Sequence, residues 1–142
     1  MGTRDSRPQN ELVDRLQAAV NAHDLDRLVD CFSDDYVNET PAHPARGFRG
    51  REQVRRNWSQ IFAGVPDIVC DLICSDQVGQ TLWTEWEMRG HRLDGSDHLM
   101  RGVVRFTVEG GRARAARFFL EPVDPSDVDA DQAAERLIRP QS

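Results

Sequence analysis

No lysine occurs anywhere in the chain; all 18 basic residues are arginine. Lysine Schiff-base chemistry needs an amine at one defined position, so pyridoxal phosphate enzymes and lysine-dependent phosphate loops are excluded. A GxGxxG sequence is missing too, and with it the dinucleotide-binding fingerprint. No apolar run approaches the ~20 residues that a membrane helix needs. The first ten residues, MGTRDSRPQN, hold no apolar stretch of a secretory signal, and a cytoplasmic location is the expectation that follows. Cysteine is scarce: Cys31, Cys70 and Cys74 are an odd number without paired spacing. They indicate neither a zinc site nor a disulfide framework, and buried reduced thiols are expected. No metal and no cofactor is expected.

What remains is an ordinary soluble composition: 142 residues, 39% hydrophobic and 30% charged. That is enough for one domain around one core. A net charge of −6 argues against nucleic acid as a partner, because phosphate neutralisation requires a positive face. One segment runs against this balance. RGFRGREQVRR, from Arg46 to Arg56, sets five arginines against Glu52. It reads as an anion site at a helix start or as a solvated helix face with Glu52 and Arg56 paired.

Periodicity orders the chain. Leu12, Leu16, Ala19 and Val20 fall on one helical stripe of NELVDRLQAAVNAHD, and Asp24 is placed to cap a shorter helix, LDRLVDCF. His23 falls in the turn between them. DDYVNETP reads as a short strand ending at Pro41, followed by a loop, PAHPARGFRG. A third helix is expected over REQVRRNWSQIFAG, with Val54, Trp58, Ile61 and Phe62 inward. In the strand DIVCDLICSD, Ile68, Cys70, Leu72 and Cys74 share a face, so Cys70 and Cys74 are expected together as small apolar filler. Three β-type runs close the domain: VGQTLWTEWEMRGHR, HLMRGVVRFTVE and RARAARFFLEPVD, divided by LDGSD and GG. Helices first and then an antiparallel meander describe an α+β fold. The expected form is a cone-shaped curved antiparallel sheet wrapped around three N-terminal helices and enclosing a pocket.

The order NAHDLDRLVDCFSDDYV, GFRGREQVRRNW, VPD, WEMRGHRLDG and RFFLEPV resembles the nuclear transport factor 2-like superfamily, in particular its SnoaL-like polyketide cyclase branch. The resemblance covers residues 9–124. Outside it, residues 1–8 are expected to be disordered, and residues 125–142, acidic and only weakly amphipathic, to form a loosely docked helical tail. The superfamily holds cyclases, isomerases, dehydratases, epoxide hydrolases and noncatalytic binding domains, so the fold alone does not select a reaction.

The resemblance implies that the first strand turns Val37 and Glu39 into the cavity, with Glu39 as the catalytic acid or base. Walled by Trp58, Phe62, Trp86 and Phe118, that carboxylate would have its charged form destabilised and its pKa raised. The alternative is that Glu39 ends the strand paired to an arginine such as Arg46. His98 is the second catalytic candidate, sharing a strand face with Met100 and Val104, or else an exposed strand start. His43 sits in the loop expected over the cavity, and Met88, Phe118 and Leu120 line it from the sheet. His91 lies where some cyclases of this resemblance carry a functional histidine. Tyr36, the one tyrosine, is expected to point away from the cavity.

Two catalytic sets of the superfamily do not match this sequence. Trp86, Met88 and Phe118 stand where epoxide hydrolases of the limonene type carry their arginine and aspartates. Phe118 and Leu120 stand where a ketosteroid isomerase needs its oxyanion hole. The outer faces of the last strands mix Trp83, Glu85, Glu87, Arg101, Arg105, Arg117 and Phe119, which suits a homodimer or a solvated, ion-paired sheet. Two functions follow: a cofactor-independent acid/base enzyme on a hydrophobic small molecule, or a noncatalytic domain that binds an apolar ligand or a second copy. A membrane is not expected as a partner.

Overall fold

A computed structural model of the chain describes residues 8–140. The expected disordered stretch 1–8 lies outside the described residues except for Pro8, which opens the first helix. Among the described residues four α-helices, six strands and one short 3₁₀ turn run in the order α1 (Pro8–Asn21), α2 (Leu25–Asp30), β1 (Phe32–Glu39), the 3₁₀ turn (Pro44–Arg46), β2 (Phe48–Arg49), α3 (Arg51–Gly64), β3 (Val69–Val78), β4 (Thr81–His91), β5 (Asp97–Glu109), β6 (Arg112–Pro122) and α4 (Ala130–Ile138). The strands form one curved, unclosed sheet in the order β2-β1-β6-β5-β4-β3. β1 pairs with β6 in parallel, so the sheet is mixed where an antiparallel one was expected. The first strand and the last are therefore neighbours, and the polar end of β1 faces the same interior as β5 and β6.

The N-terminal helices fill the concave side. Leu12, Val13, Leu16, Ala19 and Val20 are buried along α1, in the i, i+3, i+4 spacing of an amphipathic helix. Asp24 caps α2, its Oδ1 accepting from the Arg27 N–H at 3.1 Å. His23, at the turn, has φ of 55°, a left-handed value that histidine tolerates better than most residues.

Edge strand β3 is kept from pairing with other chains by polar side chains of the α1 end. Asn21 donates to the Cys70 carbonyl (3.0 Å) and accepts from the Cys70 N–H (2.7 Å), as a neighbouring strand would. Gln17 Oε1 accepts from the Leu72 N–H at 2.7 Å, and His23 Nε2 meets the Ile68 carbonyl at 3.0 Å. Asn21→Ala removes two of these bonds at once. A loss of about 1–2 kcal/mol is expected, because each net hydrogen bond contributes ~1 kcal/mol; urea denaturation curves would show it as a lower midpoint with an unchanged slope.

Two expectations about register are corrected. A bulge between Leu72 and Cys74 breaks the alternation of β3. Cys70 is thus buried while Cys74 is exposed, its thiol against Glu85 Oε1 at 3.5 Å, so the two do not pack together. Burial pushes the Cys31 thiol up to about 11 and that of Cys70 up to about 12, which keeps both protonated at neutral pH. The second correction concerns β1. Its pairing with β6 is irregular between Phe32 and Val37, and beyond that irregularity Tyr36, Asn38 and, just past the strand, Thr40 are the buried positions.

Candidate active site

Between α3 and the concave face of the sheet lies a cavity of about 370 Å³. Its apolar wall comes from two sides. Val54, Trp58 and Ile61 face it from α3; Met88, Met100, Phe118 and Leu120 face it from β4, β5 and β6. The size and the apolar character are those of a small-molecule site.

The polar groups are few. Tyr36 and Asn38 lie two apart on β1 and so on one face; the Tyr36 hydroxyl donates to Asn38 Oδ1 at 2.7 Å in a buried contact. Burial holds the phenol well above its ordinary value, so it stays a neutral donor. This fixes the Asn38 amide with its NH₂ as the free end. That group has no hydrogen-bond partner among the described residues. His98, the second residue of β5, also lines the cavity and is half-buried. Its pKa is lowered, first by desolvation and then by the Arg92 charge. The neutral imidazole is therefore the form at pH 7, the one able to accept a proton.

At the rim, His43 Nε2 lies 3.3 Å from Glu121 Oε1, and Glu121, Arg46, Thr40 and Asn57 add further polar groups to the lining. Among the described residues no group of three or more His, Cys, Asp or Glu is arranged to hold a metal.

The expected site residues divide. Trp58, Met88, Met100, Phe118, Leu120 and His98 do line the cavity. Glu39 does not: its side chain is 58% exposed on the outer face, 3.7 Å from Arg117 Nη1. Val37 shares that outer side, in a surface recess with Glu39 and Arg117. One residue of register separates the two readings, and a slip of one exchanges the faces of a strand. His43 reaches the rim only through Glu121. Phe62 stands behind the wall, its ring 5.6 Å from Trp58 and stacked on His23 at 4.8 Å. Trp86 and Val104 belong to the core beneath: the indole N–H donates to Thr84 Oγ1 (2.8 Å), which donates to the Val104 carbonyl (2.7 Å). Tyr36, Asn38, Thr40, Asn57 and Glu121 were the polar lining residues missed. A tyrosine and two small polar residues at i, i+2, i+4 were the available signal.

Beside the cavity His91 braces the loop before β3. Its N–H and Nδ1 meet the two oxygens of Asp67, each at 2.7 Å, and Nε2 lies 3.6 Å from Asp97. Gly90, whose strand partner is His98, packs against this loop: a Cβ there would lie 2.6 Å from Val65 Cγ1. The Asp67 hydrogen bond and charge raise the His91 pKa, and Asp67 is lowered in turn. A raised folded-state value means that folding takes up a proton, so this contribution is full below pH 6.5, the ordinary histidine value, and fades as pH rises through the raised one. His98, lowered, acts with the opposite sign, costing stability as pH falls below 6.5. Comparing melting temperatures of the wild type and His91→Ala from pH 5.5 to 8.5 should show their gap narrowing toward high pH.

The sequence profile of the SnoaL-like domain matches residues 13–116. The chain belongs to the SnoaL-like domain family. No curated protein sequence matches it significantly. Solved structures agree on the fold of this SnoaL-like domain. IdmH from Streptomyces antibioticus, a candidate polyketide cyclase, superposes with a TM-score of 0.69 at 21% identity, over 82% of this chain and 93% of its own. A Mycobacterium tuberculosis protein in complex with estradiol-17β-hemisuccinate gives 0.69 at 18% identity, over 80% and 94%. A LEH-like epoxide hydrolase from M. tuberculosis gives 0.69 at 17% identity, over 80% and 83%. At these identities the likeness establishes the nuclear transport factor 2-like fold and not a reaction. Among the described residues no helix is long and apolar enough to cross a membrane.

Proposed function

We propose that this SnoaL-like domain is a cofactor-independent enzyme that acts on a hydrophobic small molecule by general acid/base chemistry. The observation that carries the reading is the meeting, in one apolar cavity, of a neutral imidazole at His98 with the fixed NH₂ of Asn38. A substrate carbonyl oxygen directed at Asn38 would have its developing negative charge stabilised there, with the Tyr36 hydroxyl holding the amide in place. His98 would take the proton from the adjacent carbon and return it elsewhere. Aldol-type cyclisation, isomerisation of an enone and dehydration of a β-hydroxy ketone each contain such an enolisation step. Small-molecule ligands bound by a fold relative support a ligand site here. The test is turnover of a panel of ketones and enones by the wild type, His98→Gln and Asn38→Leu.

A second reading has its own observation. With Glu39 outside and Glu121 engaged by His43, no free carboxylate lines the cavity among the described residues. A noncatalytic domain that only captures its ligand fits this; ligand recovered unchanged after long incubation would favour it.

We also propose a homodimer through the outer sheet face. Trp83 is 41% and Phe119 43% exposed there, and the Arg105 guanidinium sits 5.6 Å above the Trp83 ring. An apolar pair set among charges of both signs suits a self-complementary interface. Phe119→Glu should convert a dimer into a monomer in light scattering coupled to size-exclusion chromatography; a wild type that is already monomeric would remove the proposal.

A further inference from the structure

The hydrogen-bonding capacity of the cavity is one-sided. Both asparagines that line it, Asn38 and Asn57, have their amide oxygens occupied by donors of the chain itself: Tyr36 OH on Asn38 at 2.7 Å and Gln53 Nε2 on Asn57 at 2.7 Å. A side-chain amide so anchored presents its NH₂ to whatever lies on the other side. The hydroxyl of Thr40, another lining residue, has no hydrogen-bond partner among the described residues. Arg46, also lining, has neither a carboxylate within salt-bridge reach nor a hydrogen-bond acceptor among the described residues, although most arginines near it are engaged: Arg51 with Asp34, Arg55 with Asp26, Arg56 with Gln53. Glu121, the carboxylate in the lining, already faces His43.

Arg46 is also held in place at the backbone. It ends the short 3₁₀ turn Pro44–Arg46, closed by the bonds from Arg46 N–H to the His43 carbonyl (2.9 Å) and from Gly47 N–H to the Pro44 carbonyl (3.2 Å). The turn sets this exposed arginine at the mouth of a largely apolar chamber. Guanidinium, two amide NH₂ groups and a hydroxyl are donors in search of acceptors, and the one full charge among the unengaged groups is positive.

We infer that the cavity takes an apolar molecule bearing a carboxylate, its hydrocarbon body against Trp58, Phe118 and Leu120 and its carboxylate on Arg46. This deepens the ligand-binding reading of the same cavity and rests on it. The planar fork of arginine suits a carboxylate's two oxygens, and partial exposure at the rim lets the charged end of the ligand keep some of its water.

The test compares two probes of one shape, 1-naphthaleneacetate and its neutral amide, 1-naphthaleneacetamide, by titration calorimetry at low ionic strength. The acid should bind the wild type on the order of 10-fold more tightly than the amide, the size of one charge-assisted contact. Raising salt from roughly 50 to 500 mM should erode that preference. Arg46→Gln and Arg46→Met should bring the acid-to-amide ratio to about one, whereas Arg49→Gln, altered in β2 beside the outer recess of Val37 and Glu39, should keep it. Equal binding of the two probes by the wild type, or a preference that survives both Arg46 substitutions, overturns the inference and leaves the cavity reading standing. Failure of both probes to bind overturns the two together.

Discussion

Gly102→Ala lowers the melting temperature by about 10–15 °C, corresponding to a loss of about 3–4 kcal/mol in a domain of this size. Gly102 has φ of 152°, and a Cβ built on it would lie 2.2 Å from the Phe119 carbonyl oxygen and 2.7 Å from Leu120 Cα. Both obstacles are backbone of the paired strand β6, so no rotamer change relieves them. Either Gly102 changes its conformation or the β5–β6 ladder opens at its Gly102–Leu120 pair. Overpacking of a closed interior costs ~1–3 kcal/mol and backbone strain adds ~1–3 kcal/mol. The contrast is Gly64→Ala at the end of α3, where an added methyl meets nothing within 4 Å. There alanine should stabilise by about 0.5–1 kcal/mol, through helix propensity alone. Calorimetric melting of the two variants beside the wild type decides it, and a Gly102→Ala protein within 2 °C of the wild type would show that the strands do not approach so closely there.

Gly102 matters to the site as well as to the fold. It stands between Met100 and Val104 on the concave side of β5, with Trp86 opposite on β4 and Leu120 opposite on β6. The missing side chain lets β6 close in, which brings Leu120 and Phe118 up as one wall of the cavity. A variant that keeps the fold but pushes β6 away would enlarge the chamber.

Most of this architecture is legible in the sequence because its elements carry consistent signals. The third helix was expected over residues 51–64 and lies there, since apolar residues at Val54, Trp58, Ile61 and Phe62 repeat at helical spacing. In β4, Leu82, Thr84 and Trp86 face inward against Trp83, Glu85 and Glu87, so alternation alone assigns the faces. β1 is different. FSDDYVNE places an apolar side chain on each face, Tyr36 on one and Val37 on the other, and polar residues on both. Alternation then gives two equal answers, and the irregular pairing of β1 with β6 decides between them. The misplacement of Glu39 follows from that ambiguity, and so does the oversight of Asn38. Cys74 was misassigned for a related reason: a bulge adds one residue to β3 and reverses the alternation beyond it. The N-cap of α2 at Asp24 is by contrast local chemistry. Local signals were read correctly; faces that depend on the partner strand were not.

His98→Gln is expected to lower turnover of a confirmed substrate by about 10²–10⁴-fold, the usual contribution of a positioned acid or base. Glutamine keeps much of the volume and the hydrogen-bonding capacity of the imidazole but cannot take a proton, so binding should change far less than rate. Asn38→Leu, which keeps the size of the side chain and removes the donor, should cost about 10²–10³-fold. It also leaves the Tyr36 hydroxyl without its acceptor, so its melting temperature must be measured alongside. The pH profile separates chemistry from structure. His98 has a pKa below its ordinary value of 6.5, so kcat/KM should rise with pH through a point below 6.5 and then stay level, as a group active in its neutral form requires. That limb should disappear in His98→Gln, whatever residual rate survives. A limb that persists in His98→Gln would assign the titration to another group, and the Glu121–His43 pair at the rim would be the next to replace. Glu39→Gln should leave both rate and profile unchanged, because its carboxylate is on the opposite face of the sheet.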